Sequence, residues 1–545
     1  MNSNSFIRDT ALAIAKAHTT KEIEESIFVF PNRRAGLFFQ RELSLALRNT
    51  PFFVPDIYDI NHFAESLSTY RKAEEIELLL YLHKAYRETY NDECKASLPL
   101  RSFIELGMKL LHDFDEIDKY LVDAHALFLN VYQLSELTAS IELTAEQQEA
   151  ISRFCNIVNH GTNPEDESLD FHRKYASLWN HITPIYDRFN ALLDENKAAY
   201  EGKIYREVCE QLPDDKLPQK PIYFIGFNIL TTSEEALIHR FEQLGNATLI
   251  FDYNHLQRTT ARFDYHHPID DFRFKIPQEI HDYPSMTSGE QAENLQEVLN
   301  SLIQASSAKT VEQNTAIVLA DESMLVPALH SIPEEIEHLN ITMGYPLSDT
   351  PIATFVAALI QYQCNIQTDR TGTQTIYHRH LMELLLHPYS HLICPKDELN
   401  RLIRKIRENN ILHIPLSDLT ICNDTLFMYS ENIFAPISSL FDILDEYFMT
   451  QGSKSLDLEF IRQYRDRLTQ LKTILERTKT TVDRSELTIL IRRITRNLKV
   501  QFKGEPLKGL QIMGLLECRL LDSLQLSTHY LSEHKHIKYS LQQLS

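Results

Sequence analysis

The stretch that decides the fold is Ser26-Ile-Phe-Val-Phe-Pro31, followed at once by the polar turn Asn32-Arg33. Its apolar residues run without a break, as they do in a strand that is buried on both faces of a parallel sheet. Apolar residues then recur at helical spacing over residues 33–47. A strand, a short turn and a helix in this order predict the first half of a βαβ unit.

The same strand pattern returns along the chain. Further mostly apolar stretches predict buried strands at residues 221–227, 247–252, 315–320 and 509–514. The long stretches between them, residues 61–209 and 366–499, carry apolar residues mostly at helical spacing. The sequence therefore predicts an α/β fold of two parallel-sheet domains, each interrupted by a large helical insertion.

The domain boundaries follow from these stretches. We expect a first α/β domain from residues 1–60 with 210–275, a helical insertion at 61–209, a second α/β domain from 276–365 with 500–522, a second helical insertion at 366–499, and a tail at 523–545. The tail is polar and has no continuous apolar run, so we expect it to be disordered or loosely helical and to leave the second sheet incomplete. A truncation, a frameshift and a short native end all remain open as its origin.

Charge limits the possible ligands. The formal net charge is −22, so binding to phosphate backbones needs a local basic face or a basic partner. Residues 461–510 hold thirteen Lys and Arg against five Asp and Glu. Four of these cations, Arg492, Arg493, Arg496 and Lys499, fall within about two helical turns. They predict either a face that tracks phosphates, or a solvated helix or docking face for an acidic partner.

Catalytic motifs are missing from the sequence. We find no GxxxxGK[ST] loop to cradle nucleotide phosphates, and no Asp followed by a strand-borne (E/D)-x-K that would hold Mg²⁺. The histidines at 378, 380, 387 and 391 lack ligand partners at zinc spacing, which favours surface or capping roles. We therefore predict no catalytic residue, no metal site and no cofactor.

Targeting signals are also missing. The N-terminus carries charged residues where a signal peptide needs an apolar core, and no run of about 18 apolar residues predicts a membrane span. The seven cysteines are scattered without a CxxC motif, which predicts free thiols in a reducing compartment. We expect a cytoplasmic protein that makes no membrane contact.

Six segments, taken together and in order, resemble AddB-type subunits of bacterial helicase–nucleases. They are FVFPNRRAGLFF (28–39), DFDEID (113–118), AYEGKIYR (199–206), FIGFNILTTSEE (224–235), NITMGYPLSDTP (340–351) and FKGEPLKGLQIMGLLE (502–517). The first resembles the family's PNRRAG or PTRRA turn, the fourth its VGFNALTxSE segment, the fifth its NVTMGYPLxxTP segment and the sixth its helicase motif V region. These segments span most of the chain.

The resemblance implies an inactivated superfamily 1 helicase with two RecA-like parallel-sheet domains. It implies an AddA-type helicase–nuclease subunit as partner, single-stranded or duplex-end DNA as ligand, and a non-catalytic scaffold role in DNA double-strand break end processing and recombinational repair. Family members continue past the motif V region into a PD-(D/E)xK nuclease domain, and this sequence does not. Two alternatives are a nuclease fragment without its catalytic domain and a helical interaction scaffold that binds no nucleic acid.

Candidate DNA contacts lie in the segments that resemble the family. Arg33 and Arg34 follow the first strand and are suited to bind phosphates, although pairing with carboxylates such as Glu42 is an equal alternative. Phe227 and Tyr345 are suited to stack on bases, and core packing is the alternative for each. With the basic residues 492, 493, 496 and 499, they form the predicted DNA-binding set.

Overall fold

The computed structural model of the chain has a mixed α/β fold. It describes residues 6–47, 51–89, 98–129, 168–227, 230–250, 279–285, 287–368, 372–419, 424–450, 456–496, 498–500, 509–514, 525–529 and 536–541.

The described chain contains both helices and strands, with runs of consecutive helices between the strands of the two larger sheets. The α-helices include α1 (Phe6–Ala17), α2 (Thr20–Glu24), α3 (Arg33–Ala46), α4 (Ile60–Leu67), α5 (Glu75–Thr89), α6 (Leu100–Lys119), α7 (Ser168–Glu195), α8 (Glu201–Arg206), α9 (Thr232–Gln243), α10 (Ser288–Ala305), α11 (Ala308–Asn314), α12 (Leu325–His330), α13 (Pro351–Cys364), α14 (His378–Leu385), α15 (Ser390–Ile393), α16 (Lys396–Glu408), α17 (Asp424–Phe427), α18 (Phe434–Thr450), α19 (Leu456–Thr478) and α20 (Arg484–Arg496). The strands include β1 (Ile27–Phe30), β2 (Asp56–Asp59), β3 (Arg71–Lys72), β4 (Ala198–Ala199), β5 (Ile222–Ile225), β6 (Ala247–Ile250), β7 (Glu279–Pro284), β8 (Thr315–Leu319), β9 (Leu339–Ile341), β10 (Tyr345–Pro346), β11 (Ile366–Thr368), β12 (Gln374–Tyr377), β13 (His413–Pro415), β14 (Lys499–Val500), β15 (Leu510–Gly514), β16 (Gln525–His529) and β17 (His536–Leu541).

The first sheet has the strand order β2-β1-β5-β6, and its strands all run parallel. Every residue of β1 and β5 is buried, as their continuous apolar sequences predicted. Helices cover both faces. α1 and α3 pack on one face around Phe28 and Phe39, and α4 and α9 pack on the other around Val29 and Phe241. A parallel sheet covered on both faces needs apolar residues at every position of its central strands.

The turn after β1 is shaped for close packing. Asn32 caps α3, because its side-chain oxygen accepts a hydrogen bond from the backbone N–H of Ala35 at 2.8 Å. Gly36 lies one turn further on, where a Cβ atom would stand 2.7 Å from Cγ2 of Ile57. The glycine of this turn therefore lets α3 approach β2 and does not open a phosphate-binding loop.

The second sheet has the strand order β7-β17-β16-β8-β15-β9. The strands β16, β8, β15 and β9 run parallel, and β17 pairs antiparallel with both β16 and β7. The helices α10 and α12 pack against β8 and β15 through residues such as Leu295, Leu325 and Ile317.

The expectation for the tail was wrong. Residues 523–545 include β16 and β17, and β16 pairs with β8 over Gln525 to His529, so β8 has neighbours on both edges. The prediction assumed that a strand in the tail would need a continuous apolar run, as a central strand of a parallel sheet does. A strand beside an antiparallel edge pair tolerates polar residues, and backbone pairing does not depend on side-chain polarity.

The two helical regions share one hydrophobic core. Residues of α5, α6 and α7, such as Leu79 and Phe189, belong to the same buried cluster as residues of α13, α18 and α19, such as Phe355 and Leu440. A small antiparallel sheet of β11, β12 and β13 lies beside them. The stretches predicted as separate insertions are therefore packed together.

Two further expectations concern the state of the cysteines and the presence of membrane-spanning helices. Cys209 and Cys364 are free thiols, but Cys394 is disulfide-bonded, so the prediction of free thiols is wrong for this residue. Sequence spacing detects only local cysteine pairs and gave no signal for this bond. None of the helices in the described part of the chain has the length and apolar character that a membrane span requires.

Candidate nucleic-acid interface

The six segments that the sequence singled out meet in three pairs. β1 of the first segment lies beside β5, which leads into the fourth, and β9 pairs with β15 of the sixth. Residues 502–508 and 515–517 of the sixth segment lie outside the described residues. The second and third segments pack on each other, because Gly202 donates its N–H to Oδ1 of Asp115 at 2.6 Å. Any side chain on Gly202 would collide with the backbone oxygen of Asp115.

Several polar residues of these segments cap helices. Thr231 accepts a hydrogen bond from the N–H of Glu234 at 3.3 Å, and Glu234 accepts one from the N–H of Thr231 at 2.7 Å. Thr350 caps α13 through the N–H of Ala353 at 3.2 Å, and Pro351 occupies the first helical position. These residues satisfy free N–H groups at helix starts, so their pattern has a structural explanation that does not involve DNA.

Arg33 and Arg34 differ in their surroundings. Arg33 is exposed and forms no ion pair within the described part of the chain. Arg34 is half-buried, and its guanidinium donates to the side-chain oxygen of Gln511 in β15. Glu42, the partner considered from the sequence, is instead paired with Arg41 at 2.8 Å. Of the two arginines, Arg33 is the exposed one.

Gln511 connects the two sheets. Its side-chain oxygen also accepts from Nδ2 of Asn340 in β9 at 2.6 Å, and Asn340 is 4% exposed. Arg34, in the first turn of α3, therefore reaches β15, which lies next to the edge strand β9 of the second sheet. Its guanidinium stabilises this junction, because a half-buried amide oxygen needs a donor.

A buried polar cluster holds the second and third segments together. The Asp118 carboxylate is 1% exposed and accepts from the hydroxyl of Tyr186 at 2.7 Å, from Nε of Arg206 at 2.8 Å and from the hydroxyl of Tyr200. Burial, together with the neighbouring Asp118 carboxylate, raises the pKa of Tyr200 far above its ordinary value. The tyrosines therefore stay protonated as donors, and the cluster is a satisfied structural network.

The basic region at residues 461–510 has an inner face that docks on α5. Three ion pairs join it to the acidic start of that helix: Arg467 with Glu74 at 3.6 Å, Arg493 with Glu75 at 3.1 Å and Arg477 with Glu77 at 3.2 Å. For these arginines the structure matches the alternative in which the basic region docks on an acidic partner. That partner is helix α5 of the same chain.

Glu77 lies at the centre of this contact and is 1% exposed. Its two oxygens accept hydrogen bonds from Arg71 and from Arg477. Burial by itself would raise the pKa of Glu77, but the hydrogen bonds and positive charges of Arg71 and Arg477 outweigh it and lower the pKa below its ordinary value. The carboxylate is therefore held ionised between two guanidinia.

The outer face of the same region points to solvent. Arg492 and Arg496 are both exposed and lie one turn apart on α20. Arg492 donates to Oε1 of Gln361 at 3.3 Å, and neither arginine has a carboxylate partner among the described residues. Lys499 is exposed as well but is paired with Glu322. Arg492 and Arg496 are thus the predicted cations that remain open to a phosphate, together with Arg33.

The two predicted aromatic residues are packed. Phe227 is 2% exposed and lies against Phe224, with ring centroids 6.3 Å apart. A ring so buried has no face on which a base can stack, so core packing describes Phe227. Tyr345 is half-buried in β10 and packs on Phe460 at 5.9 Å. Its position is set by the pairing of β10 with β14.

Sequence reasoning missed the residues that surround Arg492. The end of β12 and the start of α14 bring Tyr377, Arg379 and His380 to the same groove as Arg492. More than a hundred residues separate them along the chain, and no local pattern marks the contact. Of the histidines at 378, 380, 387 and 391 that were considered together as possible metal ligands, His380 and His387 line this groove. Among the described residues, no group of three His, Cys, Asp or Glu side chains is placed to hold a metal ion.

Comparisons with known proteins add no assignment. No protein-family model matches the chain, and no curated protein matches its sequence.

Proposed function

We propose that this chain is a non-catalytic, DNA-binding scaffold subunit of an AddB-type helicase–nuclease that processes DNA ends. The observation that carries the proposal is the pairing of the six family-like segments at the two sheets and between α6 and α8. The parallel β1–β5 pair, the parallel β9–β15 pair and the Arg34–Gln511 contact between the sheets suit two RecA-like domains of superfamily 1 type, each with a helical insertion. In this proposal the partner is an AddA-type helicase–nuclease subunit.

The turn after β1 supports a scaffold without ATP hydrolysis. An ATPase of this class uses glycine-rich backbone N–H groups and a lysine there to hold phosphates. In this chain Asn32 occupies the N–H of Ala35, and Arg34 contacts Gln511. We predict that the purified chain shows no DNA-stimulated ATP turnover and no Mg²⁺-dependent cleavage of linear duplex. Either activity in a contaminant-free preparation would contradict the proposal.

Binding to single-stranded DNA is the direct test. Titration of a fluorescent oligodeoxythymidylate with the full chain at low salt should give saturable binding that weakens as salt is added, because contacts between basic residues and phosphates release condensed counterions. The net charge of −22 should keep the affinity low. An unchanged fluorescence anisotropy at every protein concentration would overturn the DNA-binding role.

A helical interaction scaffold without nucleic-acid binding is the second candidate. It is favoured by the inner face of the basic region, where Arg467, Arg477 and Arg493 are already neutralised by glutamates of α5. The titration separates the two candidates, because this scaffold binds no oligonucleotide. Association with an AddA-type subunit in a pull-down would then mark the chain as a structural partner only.

A further inference from the structure

An open groove of about 760 Å³ lies between α13, α14 and α20. Residues from three separate stretches of the chain line it, among them Gln361, Tyr377, Arg379, His380, His387 and Arg492. It lies on the outer side of α20, which is the side that does not dock on α5.

Two guanidinium groups flank this groove. The side chain of Arg379 is 76% exposed, and its carboxylate partner Glu383 lies one turn away at 3.8 Å. Arg492 is exposed, and its guanidinium donates a hydrogen bond to the neutral side chain of Gln361. An exposed ion pair at such a distance contributes little stability, so both guanidinia are available to a phosphate. Arg496 continues the same face one turn beyond Arg492.

An exposed aromatic ring stands at the mouth of the groove. Tyr377 ends β12 and is 39% exposed. The imidazoles of His378 and His413 lie at 4.5 and 5.6 Å from its ring and hold it in place. A positioned aromatic ring beside cations is the arrangement that proteins use to stack bases while they track a phosphate backbone.

The floor of the groove is uncharged. His387 stacks on Phe355 with ring centroids 4.4 Å apart, and its Nδ1 accepts from the N–H of Tyr389 at 3.2 Å. Burial lowers the pKa of His387, which agrees with a neutral ring whose other nitrogen faces the hydroxyl of Thr354 at 3.1 Å. The floor therefore adds apolar contact area without an anion that would repel phosphate.

We propose that this groove binds a single strand of nucleic acid, with Arg379 and Arg492 on successive phosphates and Tyr377 stacked on a base. The inference rests on the proposed DNA-binding function and names its site. An acidic peptide is the competing occupant; it would use the two arginines but would gain nothing specific from the ring of Tyr377.

The test is a set of titrations of the full chain with labelled oligodeoxythymidylate at low salt. Reversal of both arginines (Arg379→Glu with Arg492→Glu) should weaken binding roughly tenfold or more. The matched control is Arg404→Glu with Arg407→Glu, which makes the same charge change at exposed positions of α16 outside the groove. It should change affinity by about twofold.

The aromatic and acidic residues give two further readouts. Tyr377→Ala should weaken binding on the order of tenfold, whereas Tyr377→Phe keeps the ring and should bind as the unmodified chain does. Glu383→Gln removes the carboxylate found among the described residues of the groove lining and should tighten binding by a few fold. All the altered side chains are exposed or half-exposed, so thermal unfolding should be unchanged.

The outcomes separate the inference from the function. If the unmodified chain does not bind the oligonucleotide, the proposed function fails and this inference fails with it. If it binds and the groove variants bind equally well, DNA binds elsewhere and only the inference is overturned. Loss of affinity in the arginine variant together with no effect of Tyr377→Ala would also overturn it, because the groove would then recognise charge without a base.

Discussion

Arg492 and Arg493 are neighbours in α20, yet they face different parts of the molecule. Arg493 turns inward to Glu75 of α5 at 3.1 Å, and Arg492 turns outward into the groove beside Gln361 and Arg379. Successive residues of a helix point about 100° apart, so one basic run can serve two surfaces. The comparison shows that a count of positive charges over a segment does not identify a nucleic-acid surface until each charge has been assigned to a face.

Substitutions on the inner face should lower the stability of the protein more than substitutions on the outer face, and replacing Glu77 should have the largest effect. Glu77→Ala leaves Arg71 and Arg477 without their shared carboxylate and opens a hole in the contact between α5 and α19. We expect a loss of about 2–4 kcal/mol in the free energy of unfolding, measured by urea denaturation. Glu74→Ala is the control, because Glu74 is 51% exposed, and it should cost at most about 0.5 kcal/mol. Equal losses of stability for Glu77→Ala and Glu74→Ala would contradict the distinction between a buried Glu77 contact and a surface Glu74 contact.

The next test compares Arg493 with Arg492 directly. Arg493→Glu places a carboxylate against Glu75 and should cost about 1–2 kcal/mol of stability, whereas Arg492→Glu should change stability by less than about 0.5 kcal/mol. The double variant Glu75→Arg with Arg493→Glu restores opposite charges and should recover part of the loss, which a double-mutant cycle measures. Similar destabilisation by Arg492→Glu would mean that both sides of α20 are structural.

Acid should weaken the inner face. The folded-state pKa of Glu77 lies below its ordinary value of 4.5, so the unfolded chain takes up the proton first as the pH falls. The stabilisation is therefore fully present above about pH 4.5 and is lost as the pH drops through the lowered folded-state pKa. Glu77→Gln should flatten this part of the pH profile of stability. It should leave a residual slope, since the pKa of Glu201 is also lowered, by Lys119 and Lys72 acting against burial. If Glu77→Gln has the same pH profile of stability as the unmodified chain, the assignment of this acid sensitivity to Glu77 is contradicted.

The fold was predictable where one local pattern decides it. The mostly apolar stretches located β1, β5, β8 and β15, because a strand covered on both faces is largely apolar. β16 and β17 were not predicted from the sequence, because their strand pairing depends on backbone hydrogen bonds and not on a continuous apolar run. The shared core of the two helical regions was not predicted either. Helical spacing identifies the apolar face of a helix but not the element against which that face packs.

The candidate site was predictable only in part. The sequence singled out Arg492 and Arg496 by their local density of charge, and both are open to solvent. The same reasoning could not separate them from Arg493 and Lys499, whose carboxylate partners Glu75 and Glu322 lie far away in the chain. Tyr377 and Arg379 carried no signal, because only tertiary packing brings them beside Arg492.

The salt dependence of binding tests the central claim, that the outer face of α20 binds single-stranded DNA while its inner face holds the protein together. Affinity for labelled oligodeoxythymidylate is measured over a series of salt concentrations for the unmodified chain and for Arg492→Ala with Arg496→Ala. Loss of two phosphate contacts should make the slope of log affinity against log salt shallower by about 1.4, at roughly 0.7 per contact on a single strand, with unfolding unchanged. An unaltered slope, or a change that appears only when the inner arginines are replaced, would contradict the account.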